Sequence, residues 1–170
     1  MSALTTSKAQ HFDWKTIVIS VLAFWLSGSL LLDLVLMPTM YATGMMSESS
    51  FAVAGYSIFG VFNRIELLCA ALVLTSILVL RNTRSIAPPS SQWAVPLAIG
   101  LLGIVLIFTY ELAPEMSALG LTLNLFEPAT PAPSVMNQMH MEYWVLELMK
   151  LVATSILLRF CYHQKSVAQS

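Results

Sequence analysis

The sequence predicts an all-α integral membrane protein, a four-helix bundle with both termini on the cytoplasmic side. Of its 170 residues 57% are hydrophobic and only 10% charged, with a mean hydropathy of +0.76, where an ordinary soluble domain carries about 25% charge. Four apolar stretches approach the roughly 20 residues that cross a hydrocarbon core about 30 Å thick. The Lys and Arg that flank them fall on one side. A net charge of -1 leaves no basic surplus to neutralise phosphates, so nucleic acid is not an expected partner. Two cysteines give no zinc-ribbon spacing and no disulfide framework.

The spans are expected at about 17–36, 58–80, 94–112 and 143–161. The first is apolar from Ile17 to Leu36 and should stop at Pro38, because proline removes a helical N–H and crowds the preceding turn. The second ends at Arg81. The third has no charge between Arg84 and Glu111, and Pro96 is expected in its first turn, where the missing N–H would be unpaired in any case. The fourth is the least apolar, interrupted by Glu147, Lys150 and Arg159. No repeat or linker divides the chain, so 1–170 reads as one membrane domain. The segment 113–139, with Pro114, Pro128, Pro131 and Pro133, is expected as a non-cytoplasmic loop whose apolar stretch Leu119 to Phe126 lies on the membrane or caps the bundle.

Lys8 and Lys15 precede span one, Arg81 and Arg84 join spans two and three, and Arg159 and Lys165 close span four. By the positive-inside rule this sets N-in, C-in. Trp14, Trp93, Tyr110, Tyr143, Trp144 and Tyr162 fall near span ends and read first as interfacial anchors.

Asp33, Arg64, Glu66, Glu147 and Lys150 then remain inside the membrane, in its outer half. In span four the apolar side chains return roughly 3 to 5 kcal/mol against about 5 to 7 for Glu147 plus Lys150 at full depth. Pairing must make up the difference. Glu147 and Lys150 share a face, whereas Arg64 and Glu66, two apart, point to nearly opposite sides. The expectation is an interhelical network in which Arg64 meets Asp33 or Glu147, and Glu66, on one face with Asn63, meets Lys150 or His140. Such a network either fixes helix packing or forms a proton, ion or ligand site, the default meaning of intramembrane ionisable residues. The ligand-site candidates are Asp33, Asn63, Arg64, Glu66, His140, Glu147 and Lys150.

No cofactor is expected. A copper site is the alternative, since thioethers with imidazole select Cu(I); its candidates are His140, Met37, Met40 and Met139. Haem b is a further alternative through His140 alone, because His11 and His163 fall on the other side of the membrane. Cys69 and Cys161 lie at depths too different for a disulfide.

The segments Gly28-Ser-Leu-Leu-Leu-Asp33, Met37-Pro-Thr-Met-Tyr41, Tyr56 to Glu66 with Phe-Asn-Arg-Ile-Glu, and Met139-His-Met-Glu-Tyr-Trp144 through Glu147 and Lys150 resemble the transmembrane-protein-205-like family, a domain of unknown function (DUF4149). The resemblance covers nearly the whole chain, with Gly28, Pro38 and His140 at matching positions. It implies a four-helix membrane bundle and no agreed activity. The layout is also similar to small four-helix copper-resistance and haem-associated membrane proteins, but lacks their membrane-embedded histidines.

The functional expectation is a non-enzymatic binding, transport or accessory protein with an outer-leaflet polar cluster; the alternative is a copper- or haem-binding membrane protein, possibly an oxidoreductase. Its partners would be the lipid bilayer and, as an open alternative, a second copy or another membrane protein. Its location would be the plasma membrane, or the thylakoid membrane in a photosynthetic source.

Overall fold

The computed structural model describes residues 13–43, 51–83, 90–118 and 134–167. Helix α1, Trp14–Ala42, is opened by Asp13, whose carboxylate accepts from the Lys15 N–H at 3.1 Å and the Thr16 hydroxyl at 2.6 Å. The first satisfies one of the backbone N–H groups that a helix start leaves open, and the second holds the carboxylate in place. α1 does not stop at Pro38. It widens into a π-turn at Leu32–Leu36, where the Met37 N–H reaches back five residues to the Leu32 carbonyl, and continues as Met37–Ala42. The wider turn accommodates a proline that has no N–H and would crowd the carbonyl four residues behind it.

Helix α2 is Phe51–Asn82. Helix α3 begins as Ser90–Ile107, passes a second π-turn at Phe108–Leu112 and runs on to 118. Pro96 lies inside α3 rather than in its first turn, because the helix starts earlier than hydropathy alone marks. Helix α4 is Ser134–Val167. The expected loop 113–139 is therefore helical at both ends, and the stretch Leu119 to Phe126 with Pro128, Pro131 and Pro133 lies outside the described residues. So do Lys8, His11 and Arg84, and the side chains of His163 and Lys165.

Three helices, Trp14–Ala42, Val53–Asn82 and Gln92–Ala118, are long and apolar enough to cross a membrane. The chain is thus of the multi-pass membrane type. α4 is long enough, but Glu142, Glu147, Lys150 and Arg159 lower its hydropathy.

The helices pack in a cycle, α1 on α2, α2 on α3, α3 on α4 and α4 back on α1. Lys15, Arg81 and Arg159 share one end, called here the basic end. From there to mid-helix the interior is apolar but for Ser76, whose hydroxyl donates to the Leu72 carbonyl of its own helix: Val18 and Leu22 of α1, Val73 and Ile77 of α2, Leu101 of α3 and Leu157 of α4 are buried together. Ala70, Ala94 and Ala98 are buried among them, and small residues let helices approach where lipid offers no hydrophobic drive. Gly28 marks another close approach, since a Cβ there would meet the Phe62 ring at 3.3 Å. The outer faces carry Phe24, Leu31, Leu68, Ile99 and Leu148, as lipid-facing surfaces should.

A candidate binding site between the four helices

Above the apolar half the interior turns polar, and spacing explains why. Trp25, Ser29 and Asp33 recur every four residues on α1, and Tyr143, Glu147, Lys150 and Thr154 every three or four on α4. Such positions stack along one face of a helix. Asn63 and Glu66, three apart, do the same on α2. The cycle of helices turns all three faces inward. Asp33, Glu66, Glu147 and Lys150 are 4%, 1%, 1% and 2% exposed, a degree of burial charged residues show only when paired.

Glu66 is the most fully satisfied of the four. Its Oε1 accepts from Lys150 Nζ at 2.5 Å, from the Trp25 indole N–H at 2.9 Å and from the Ser29 hydroxyl at 3.0 Å. Helices α1, α2 and α4 therefore meet on one oxygen. Lys150 Nζ also lies 2.7 Å from Glu147 Oε2 and 5.2 Å from the centre of the Phe108 ring, within cation–π range. α3 contributes that ring, and its Phe108 carbonyl, in the second π-turn, accepts a long 3.4 Å bond from Asn63.

Glu147 and Asp33 differ from Glu66. Glu147 Oε2 is held by the Lys150 ammonium in an ion pair, but Glu147 Oε1 and Asp33 Oδ2 are buried without a donor. The two carboxyls are electrostatic neighbours. The Tyr143 hydroxyl donates to Asp33 Oδ1 at 3.3 Å. Asp33 itself sits in the first π-turn, a feature frequent at functional sites.

By helical rise of 1.5 Å per residue, Asp33 is about 27 Å along α1 from Lys15 and Glu66 about 22 Å along α2 from Arg81. Below them is the apolar half. Beside the cluster and above it, Ile104, Phe108 and Leu112 of α3 form a smaller apolar group with Met116, Tyr143 and Leu146 against it.

Of the sequence candidates, Asp33, Asn63, Glu66, Glu147 and Lys150 come together here. Arg64 does not meet Asp33 or Glu147. It is exposed, because about 200° of helix separates it from Glu66 and burying Glu66 against Lys150 turns Arg64 outward. His140 is exposed near the start of α4 and does not meet Glu66. Of the copper candidates, Met40 is buried, Met37 and Met139 are half-buried and His140 is exposed. Among the described residues no group of three or more His, Cys, Asp and Glu is placed to hold a metal ion. Cys69 and Cys161 are buried free thiols.

Sequence reasoning passed over Trp25, Ser29, Phe108 and the second role of Tyr143. The first two were detectable, since they continue the face of Asp33 at four-residue spacing. Tyr143 reads as an interfacial anchor, yet its half-buried ring packs 5.1 Å from Phe108 and 6.0 Å from Phe59. The chain matches no family model, no curated protein and no solved structure in the comparisons made.

Proposed function

We propose that this chain is a non-enzymatic membrane protein of the binding or transport type, and that its buried cluster takes up a proton from the side opposite the basic end. With the basic end cytoplasmic, as the positive-inside rule sets it, that side is the outer one. The observation that carries this reading is an imbalance of charge and of donors. Three carboxyl groups, on Asp33, Glu66 and Glu147, are buried with one ammonium. The oxygens lacking a donor belong to Asp33 and Glu147, the two carboxyls that neighbour each other.

Ionised carboxylates are acceptors only, so two of them cannot bond to each other. A proton placed between them supplies the absent donor and removes one of the surplus negative charges, which like charges at close range require. Glu66 and Lys150 then form the fixed ion pair that holds the helices, and Asp33 with Glu147 forms the exchanging pair. Tyr143, hydrogen-bonded to Asp33 and half-exposed, is the link towards the outer surface. The apolar half stops the proton from passing to the basic end in this conformation. The chemistry needs no nucleophile or metal, which fits an accessory or transport role.

Infrared difference spectroscopy on protein in proteoliposomes tests this directly. A protonated-carboxyl C=O band should be present near neutral pH, disappear at alkaline pH, and be lost or shifted in Asp33→Asn and Glu147→Gln. A dye that reports bulk pH should register about one proton released per chain. If wild-type protein has no protonated-carboxyl band, or if the band survives in both variants, the reading is wrong.

A further inference from the structure

Two apolar grooves of similar size flank α4, and they differ in one respect. The groove between α3 and α4 has a volume of about 430 Å³ and is lined by Leu97, Gly100, Ile104, Val152 and Ile156, without a charged side chain. The groove between α1 and α4 has a volume of about 460 Å³; Ile19, Ala23, Leu26 and Leu158 line it, and Arg159 and Tyr162 stand at its basic end. Ser155 also faces the second groove, but its hydroxyl bonds to the Leu151 carbonyl at 2.8 Å, so the floor offers no free donor. Ala23 and Ser155 are small, and their size creates the depression.

Arg159 is exposed and forms no ion pair among the described residues. Lys15 lies one turn below Ile19 on the same face of α1, near Cys161 of α4. The neighbouring Asp13 carboxylate accepts the α1 cap bonds from Lys15 N–H and the Thr16 hydroxyl. An apolar channel ending in a guanidinium matches an amphiphile with a hydrocarbon tail and an anionic head. Guanidinium is suited to phosphate through paired N–H donors.

We propose that the α1/α4 groove holds one acyl chain of an anionic phospholipid, with the lipid phosphate on Arg159 and its headgroup at the basic end. The groove is separate from the proton cluster, since its polar end is at the opposite level of the helices. The α3/α4 groove takes lipid tails without regard to the head.

Native mass spectrometry of detergent-solubilised protein, titrated with phosphatidylglycerol and with phosphatidylcholine of the same chains, tests this. Wild-type protein should retain the anionic lipid in preference to the zwitterionic one by about fivefold, the effect of one basic residue near a charged lipid surface. Arg159→Gln, at an exposed position that leaves the fold intact, should remove that preference, and Arg159→Lys should keep most of it. Ala23→Trp should fill the groove and lower retention of both lipids there. Gly100→Leu is the control, because a Cβ at Gly100 meets nothing; it should leave the anionic preference unchanged. Inorganic phosphate should not compete. Equal retention of the two lipids by wild-type protein, or a preference that survives Arg159→Gln, overturns the assignment.

Discussion

The interior of this protein is two halves built from the same four helices by different means. Towards the basic end, Val18, Leu22, Val73, Ile77, Leu101 and Leu157 fill the space with side chains that have one requirement, to be packed. Towards the other end, Glu66, Lys150, Glu147 and Asp33 occupy the same axis with groups that each require a partner. The apolar half tolerates small errors in proportion to the volume lost. The polar half does not, because removing one member leaves another charge buried and alone. Stability and sensitivity are thus divided along the helices.

Lys150→Met breaks the comparison most severely. It leaves Glu66 and Glu147 without their shared cation, and loss of one partner from a buried pair costs about 3 to 5 kcal/mol. Unfolding in mixed micelles should show that loss. Lys150→Met combined with Glu66→Gln should recover most of it, since the remaining amide still accepts from Trp25 and Ser29. A single variant as stable as the parent would mean that the pair holds nothing together.

Leu157→Ala is the matching change in the apolar half. Leu157 is fully buried, and truncating such a leucine costs about 2 kcal/mol or more according to how far the cavity closes. Its protonated-carboxyl band should be that of the parent, because the cavity lies in the apolar half and not in the cluster. A shifted band would show that the two halves are coupled and that the division drawn here is too sharp.

How far each half was legible in the sequence follows from the same contrast. The apolar spans announce themselves by composition, and the surplus of buried charge follows from lengths and depths alone. Glu66 with Asn63, and Glu147 with Lys150, were placed on shared faces by helical period. Arg64 shows where that reasoning ends: the period fixed that it faced away from Glu66, but not which of the two would turn inward. The partners of Glu66 decided it, and those come from other helices. Pro38 shows a second limit. Proline marks trouble in a helix, yet whether the chain stops or widens by one residue depends on packing beyond the proline, and here α1 continues to Ala42. Ser29 and Trp25 were concealed by chemistry that suits apolar packing as well as it suits donating to a carboxylate.

Tyr143→Phe is the smallest change and asks where the polar half meets the outside. The ring keeps its contacts with Phe59, Phe108 and Trp144, so packing is preserved and only the donor to Asp33 is removed. Hydrogen bonds between membrane helices average about 0.6 kcal/mol, and the 3.3 Å bond should be worth no more than that in stability. Its effect on exchange should be larger, because among the described residues no other hydrogen bond joins Asp33 to a side chain of the apolar group around Phe108 and Leu112. After a pH jump, Tyr143→Phe should release the same proton as the parent but more slowly, read from the decay of the protonated-carboxyl band. An unchanged rate would move the route of entry away from Tyr143, most directly to the π-turn of α1, where Asp33 is held in a widened stretch of helix whose ordinary four-residue bonds are already interrupted.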